Sequence, residues 1–219
     1  MTWLEPMFGS SSIIGQAMGV LLFSYLLGCF STGYYFIRFR TGQDIHELGS
    51  GNVGSKNVGR IVGPWGFVVT LLGDAGKGAL GVGLVGHFTG NAWLMMLAAV
   101  GVVLGHLWPA QLRFRGGKGM NTSLGAMLVY DYELVLIFAG LAAVAYVVLR
   151  SSVLSGLLAF ALLPVVCLVR GGETVTTVGI ACLAALALFA HRKNVAEELA
   201  RFSARRHSQP DPNPPTKQP

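Results

Sequence analysis

The chain has 219 residues, 53% of them hydrophobic and only 12% charged, with a formal net charge of +6 and a mean hydropathy of +0.58. Average soluble domains carry about 25% charged residues, so these numbers exclude a water-soluble surface over most of the chain and point to lipid as its solvent. Thirty glycines agree, because small residues let membrane helices approach closely.

A spanning helix needs about 20 mostly apolar residues. In chain order, residues 11–37 form the first such run, free of charge. Met1 to Phe8 ahead of it contain Glu5 and no basic stretch, and the run is too long for the core of a cleavable signal, so it is expected to stay as a membrane helix. Residues 61–86 are interrupted only by Asp74 and Lys77, and 92–110 form a third run. Residues 119–130 are apolar but short, and 134–149, 152–169 and 174–190 follow. The expected fold is an all-α polytopic membrane protein of about seven transmembrane helices, five or six if short segments do not cross. Cys29, Cys167 and Cys182 lie inside apolar runs without metal or redox spacing; they read as small buried hydrophobes, with no disulfide and no metal. The stretch from Ser203 is rich in Pro, Gln and Arg and lacks apolar periodicity. Residues 1–202 therefore read as a single transmembrane domain, and 203–219 as a disordered, basic and Pro-rich tail.

Lys and Arg in short loops set orientation. With the N-terminus outside, the inner segments hold Arg38, Arg40, Lys56 and Arg60, then Arg113, Arg115 and Lys118, then Arg150, then the basic tail. The outer connections hold Arg170 as their one opposing charge. This places the C-terminus in the cytoplasm.

Four polar clusters interrupt the apolar pattern, and polar residues at membrane depth need a reason. Leu48 to Arg60 contains Gly49-x-Gly51-x-x-Gly54. That spacing matches a dinucleotide fingerprint, but it joins two spans and lies in no βαβ unit. Its glycines still expose backbone N–H groups that can cradle an anion. Asp74 and Lys77 are three apart on one helix face, where they read either as a structural ion pair or as ligand contacts. The third cluster runs Gly105-His106-Leu-Trp-Pro109, Arg113-Phe-Arg115-Gly-Gly-Lys118-Gly119 and Asn121-Thr122-Ser123. It is no Walker A loop, because Gly119 stands where Ser or Thr belongs. A Gly-Gly-Lys-Gly turn opening an apolar helix does offer an anion its backbone N–H groups and dipole. The fourth is His191-Arg-Lys-Asn194, with Ser152 and Ser155 at the inner start of an earlier helix. Many donors and cations on one membrane face suit a substrate set with two phosphates.

These motifs, in order and spacing over about residues 15–200, resemble the PlsY family of bacterial acyl-phosphate:glycerol-3-phosphate acyltransferases. The family's Ser-Gly-Asn-x-Gly…Asn-x-x-Arg is matched by Ser50, Gly51, Asn52, Gly54, Asn57 and Arg60. Asp-x-x-Lys-Gly is matched by Asp74, Lys77 and Gly78. Gly-His-x-x-Pro…Gly-Gly-Lys-Gly is matched by Gly105, His106, Pro109 and Gly116 to Gly119, and His-Arg-x-Asn by His191, Arg192 and Asn194. The chain departs from the family pattern at Ser55-Lys56, usually Ala-Thr, at Gly59, usually aliphatic, and at Asn121-Thr122, usually Ala-Thr.

The resemblance implies a seven-helix enzyme of the bacterial inner membrane with its active site toward the cytoplasm. It would transfer a fatty acyl group from acyl-phosphate to the 1-hydroxyl of glycerol-3-phosphate, giving lysophosphatidic acid and phosphate. No cofactor, metal or nucleic acid is expected, membrane lipids surround it, and a monomer is expected. An acyl phosphate is already activated, so no enzyme nucleophile is needed, and no histidine here begins a His-x-x-x-x-Asp motif. The catalytic residues implied are Ser50, Arg60, Lys118, His191 and Asn194. Substrate binding falls to Asn52, Gly54, Lys56, Asn57, Asp74, Lys77, His106, Gly116, Gly117, Gly119, Thr122, Ser152 and Ser155. Within that set, the Gly116–Gly119 loop with Lys118 and Ser50 would hold the acyl phosphate. Arg60, Lys77 and His191 would hold glycerol-3-phosphate, and Asn194 with Ser152 or Ser155 would orient the reacting groups. The hydroxyl proton goes either to the substrate's own phosphate or to His191. The alternative reading is a membrane transporter of phosphorylated metabolites, whose site would be reachable from both faces.

Overall fold

The computed structural model describes residues 12–207, which are all helix and connecting loop. Glu5, the rest of the N-terminal stretch and the tail from 208 lie outside the described residues. The α-helices are α1 Ile13–Cys29, α2 Thr32–Thr41, α3 Ser55–Val62, α4 Pro64–Thr89, α5 Ala92–Leu107, α6 Met120–Tyr130, α7 Tyr132–Leu149, α8 Ser152–Val169 and α9 Thr174–His207. Six segments are long and apolar enough to cross a bilayer: Ile13–Thr41, Pro64–Thr89, Ala92–Leu112, Tyr132–Leu149, Ser152–Val169 and Thr174–Glu198.

The seventh expected segment exists as α6, which has only 11 residues. It nonetheless runs between opposite ends of the bundle. Asn121 near its start donates to the Ser55 hydroxyl at 3.0 Å. At its other end Tyr130 shares a 2.8 Å hydrogen bond with Thr176, and Asp131 faces Arg170 at 3.8 Å. A short helix suffices because Gly119, where it begins, already lies in a cavity that enters the bundle.

The first run is not one helix. It breaks between Cys29 and Thr32, which frees carbonyls that lipid cannot satisfy. Side chains from other helices supply the donors. Lys77 donates to the carbonyls of Gly28 and Phe30 at 3.1 and 2.6 Å, and Gln111 donates to that of Cys29. At the other end of the chain, α9 runs on to His207, past the helix end at 190 and the domain boundary at 202 read from the sequence.

Backbones touch at two crossings. A Cβ on Gly28 would strike the carbonyl of Val102, and one on Gly105 the carbonyl of Tyr25, so α1 and α5 meet through glycine. Gly78 lies against the Thr122 carbonyl and Gly125 against that of Ala75, which brings α4 and α6 equally close. The main apolar core runs through these crossings and includes Val20, Val102, Met127, Phe160 and Leu183. A smaller core of Ile37, Ile45, Val53 and Val58 supports the loop between α2 and α3. Leu22, Leu26, Val144, Val148 and Leu168 stay exposed on the outside, as a surface facing lipid requires. All three cysteines are free thiols. Cys29 and Cys167 are buried as expected, but Cys182 is exposed, because that position of α9 points away from the core.

Overpacking a filled contact costs about 1–3 kcal/mol, and a backbone neighbour cannot rotate away. Gly125→Val should therefore lower the thermal midpoint of the detergent-solubilised protein by several degrees. An unchanged midpoint would show that α4 and α6 are not in backbone contact.

Candidate active site

Two loops and one helix end build the site. In the first loop, Gly49 and Gly51 take positive φ angles of 56° and 69°, conformations that glycine adopts without a Cβ penalty. Asn57 knits this loop together. Its amide oxygen accepts from the Ser50 N–H at 2.9 Å, and its amide nitrogen donates to the carbonyls of Leu48 and Asn52 at 3.0 and 2.9 Å. Asn52 accepts from the Gly54 N–H at 2.7 Å. Asn57 thus shapes the site from behind, with its hydrogen bonds already occupied.

The second loop follows α5. Gly116 and Gly117 donate to the carbonyls of Leu107 and His106 at 3.1 and 3.0 Å. Just before them, Arg113 and Phe114 sit at positive φ, which costs on the order of 1–3 kcal/mol each in a non-glycine residue. Two bonds hold them there: the Phe114 N–H donates to the Pro109 carbonyl at 3.0 Å, and His46 Nε2 meets the Arg115 carbonyl at 2.8 Å.

Between these loops lies a cavity of about 1290 Å³. Three helices start at its wall: α3 at Ser55 behind Gly54, α6 at Met120 behind Gly119, and α8 at Ser152 behind Ser151. Each N-terminus thus brings the positive end of its dipole to the wall of the same space. Cations join them. Lys56 donates to the Ser152 hydroxyl at 2.8 Å, Lys118 to the Asn194 amide oxygen, and Arg60 lines the wall beside them. The partners of both lysines here are neutral oxygens. Burial holds Lys118 below the ordinary lysine range; Glu197 pulls it back up, and Lys56 and Arg60 push it further down. Lys56 is lowered first by burial and then by Arg60, against the charge of Glu198.

His191 is buried on α9 and lines the cavity. Its Nδ1 lies 2.8 Å from the Ala187 carbonyl. A carbonyl only accepts, so Nδ1 carries the proton and the neutral ring presents Nε2 as an acceptor. Ser155 is buried at the wall with no hydrogen-bond partner among the described residues. Opposite the polar wall, Leu124 of α6 and Phe138, Ala142, Ala143, Tyr146 and Leu149 of α7 form an apolar one.

Of the residues singled out in the sequence, the cavity wall includes Ser50, Asn52, Gly54, Lys56, Asn57, Arg60, Asp74, His106, Gly116, Lys118, Gly119, Ser152, Ser155, His191 and Asn194. Three lie off it. Thr122 is fully buried and faces α4. Gly117 sits behind the loop against the His106 ring. Lys77 turns inward: it bonds Gly28, Phe30 and His106 Nδ1, the last at 2.8 Å, and lies 3.2 Å from Asp74. Its ammonium braces helices at the cavity floor.

Several wall residues escaped the sequence reading. Glu197 and Glu198 lie three and four residues beyond Asn194 on α9, a spacing that shares a helix face. They were hidden by the assumption that the helix ends at 190. Tyr146 and Leu149 gave no signal, since an apolar residue in a membrane helix is unremarked. Two departures from the family pattern touch each other, Ser55 and Asn121, joined by the 3.0 Å bond that ties α3 to α6.

A model of the glycerol-3-phosphate acyltransferase family matches residues 18–201. The chain belongs to this family. The glycerol-3-phosphate acyltransferase 1 of Desulfitobacterium hafniense (strain Y51) is 41% identical over 187 residues, covering 85% of this chain and 93% of that one. The glycerol-3-phosphate acyltransferase of Synechococcus sp. (strain CC9902) is 36% identical over 190 residues, covering 87% and 92%. A crystal structure of PlsY (YgiH), an integral membrane glycerol 3-phosphate acyltransferase in its glycerol 3-phosphate form, superposes with a TM-score of 0.78 at 27% identity, covering 85% of this chain and 93% of that one. Its lysophosphatidic acid form gives 0.75. With six apolar segments of spanning length among its described residues, this family member is an integral membrane protein.

Lys77→Met would leave Asp74 buried without its counter-charge and free the carbonyls of Gly28 and Phe30. Breaking a buried pair by removing one partner costs about 3–5 kcal/mol. The variant should lose that stability in chemical unfolding in micelles, and adding Asp74→Asn should restore part of it. Wild-type stability in the single variant would contradict the bracing role.

Proposed function

We propose that this chain transfers a fatty acyl group from an acyl phosphate to the 1-hydroxyl of glycerol-3-phosphate, giving lysophosphatidic acid and phosphate at the first step of phospholipid synthesis. The observation that carries this reading is the cavity itself. Three helix N-termini and a set of cations that includes Lys56, Arg60 and Lys118 converge beside an apolar wall. That combination fits two phosphates and one acyl chain, held side by side.

The reaction needs positioning and charge stabilisation more than a covalent intermediate. The hydroxyl oxygen attacks the acyl carbonyl carbon, the bond from that carbon to the phosphate oxygen breaks, and phosphate leaves with the electron pair. Lys118, Ser50 and the Gly116–Gly119 turn hold the acyl phosphate and stabilise its developing charge. Arg60 binds the acceptor's phosphate, with Lys56 next to it. Asn194, Ser152 and Ser155 orient the reacting groups, and the acyl tail lies along the α6–α7 wall. The hydroxyl proton goes to the departing phosphate or to Nε2 of His191, the acceptor nitrogen of a ring that lines the cavity.

The basic loops and the run of α6 between opposite ends support seven crossings, with the N-terminus outside and the cavity open to the cytoplasm of a bacterial inner membrane. A monomer suffices, since every residue used comes from one chain. Family membership, and a cavity gathered around the start of α3, α6 and α8, leave the transporter reading without a supporting observation.

Purified protein in detergent or lipidic mesophase should release phosphate only when both palmitoyl phosphate and glycerol-3-phosphate are supplied, with lysophosphatidic acid forming in step. Well-folded protein that releases none, or that works equally well from acyl-CoA, would sink the donor assignment. Lys118→Ala should lower kcat/KM at least about 100-fold while extraction and purification stay normal. Near-normal turnover would break the role given to Lys118.

A further inference from the structure

The cavity wall holds a buried histidine that the resemblance counts among the substrate-binding residues and to which the mechanism above gives no contact. His106 sits on α5 with its ring at the wall alongside Gly116 and Gly119. Its Nδ1 lies 2.8 Å from the Lys77 amine. That amine also meets the carbonyl oxygens of Gly28 and Phe30, which can only accept, and the Asp74 carboxylate at 3.2 Å. Asp74 is buried and needs a counter-charge, so Lys77 is an ammonium, and it donates to Nδ1. A ring nitrogen that accepts carries no proton. The neutral imidazole therefore holds its proton on Nε2, an assignment made from its hydrogen bonds.

Nε2 is the atom nearest the position a Cβ on Gly117 would occupy. Glycine at 117 is thus what lets the ring reach the back of the turn. Among the described residues the ring's hydrogen bond to protein is the one at Nδ1. A nearly buried N–H donor outside that bond, at the wall of an anion cavity, points to a ligand oxygen as its acceptor.

We propose that His106, fixed as its Nε2–H form by Lys77, donates a hydrogen bond to a phosphate oxygen of the acyl donor seated on the Gly116–Gly119 turn. The ligand's identity rests on the acyl-transfer reading; the donor rests on the geometry alone. A neutral donor suits this place. It stabilises charge that grows on the phosphate as the carbon–oxygen bond breaks, without adding a further cation that would retain the product. It cannot serve as the base, because its one acceptor nitrogen is held by Lys77.

Two variants separate the roles. His106→Asn keeps an amide where Nδ1 meets Lys77 but loses the Nε2–H, whereas His106→Gln can place an amide N–H near the Nε2 position. His106→Asn should raise KM for palmitoyl phosphate on the order of tenfold with KM for glycerol-3-phosphate unchanged, and His106→Gln should recover most of the loss. A rise confined to glycerol-3-phosphate, or no change in either, would overturn the proposal. If the variants fail to fold, nitrogen-15 histidine spectra of the wild type decide. The His106 ring should show an acceptor-type Nδ1 and a protonated Nε2, and inorganic phosphate added over saturating glycerol-3-phosphate should shift Nε2 and leave Nδ1 in place. A proton on Nδ1, or an Nε2 signal unmoved by phosphate, would overturn it. Should Nε2 respond while the protein fails to turn over palmitoyl phosphate, the acyl-transfer reading falls and the phosphate donor stands.

Discussion

Lys77 carries an ammonium in a place where water cannot solvate it, and its neighbours show why the bundle tolerates it. The first membrane segment breaks at residues 30–31, and in a lipid environment each freed carbonyl needs a donor. Lys77 supplies two of these donors from α4, while its third contact holds the His106 ring on α5. Asp74, one turn away, balances the charge. Four segments thus depend on one side chain. Because α1 can end at Cys29, α2 sets off afresh and delivers the loop of residues 48–54 to the cavity mouth. Because His106 is fixed, the glycine turn of residues 116–119 has a surface to rest on.

Above this floor the chemistry follows from where helices begin. A membrane helix normally starts in the headgroup region, where water satisfies its first N–H groups. Here α3, α6 and α8 all start at one cavity. Their dipoles add to Lys56, Arg60 and Lys118, and the two lysines donate to a hydroxyl and an amide oxygen. Burial and the neighbouring cations disfavour the charge on both lysines, and Glu197 and Glu198 on the long end of α9 offset part of that. In the proposed reaction a phosphate in the cavity would replace these neutral partners with oppositely charged ones.

The sequence made the helical class legible, because runs of apolar residues with few charges admit little else. It also exposed most of the cavity wall, since glycines with lysine, arginine and asparagine inside a membrane chain have few other uses. It did not reveal the break at residues 30–31. Residues 11–37 are uniformly apolar, and the partners of the freed carbonyls lie 47 and 49 residues further on. The same distance hid the role of Lys77: its pairing with Asp74 is visible at i and i+3, but its inward direction is not. Thr122 is near the glycine turn in sequence, but in the fold it is buried, with its backbone carbonyl against Gly78 of α4. Ser55 and Asn121 stood out singly as departures; only the fold shows that each explains the other.

The proposed acyl transfer requires one cavity to hold two phosphorus-bearing anions at once. A crystal structure with glycerol-3-phosphate and a non-transferable palmitoyl phosphonate bound together tests it most directly. The account predicts two separate phosphorus groups, one on Lys118 and the glycine turn and one on Arg60, with the alkyl chain along α7. A single phosphorus group shared by both sets of cations, with the second ligand excluded, would contradict it.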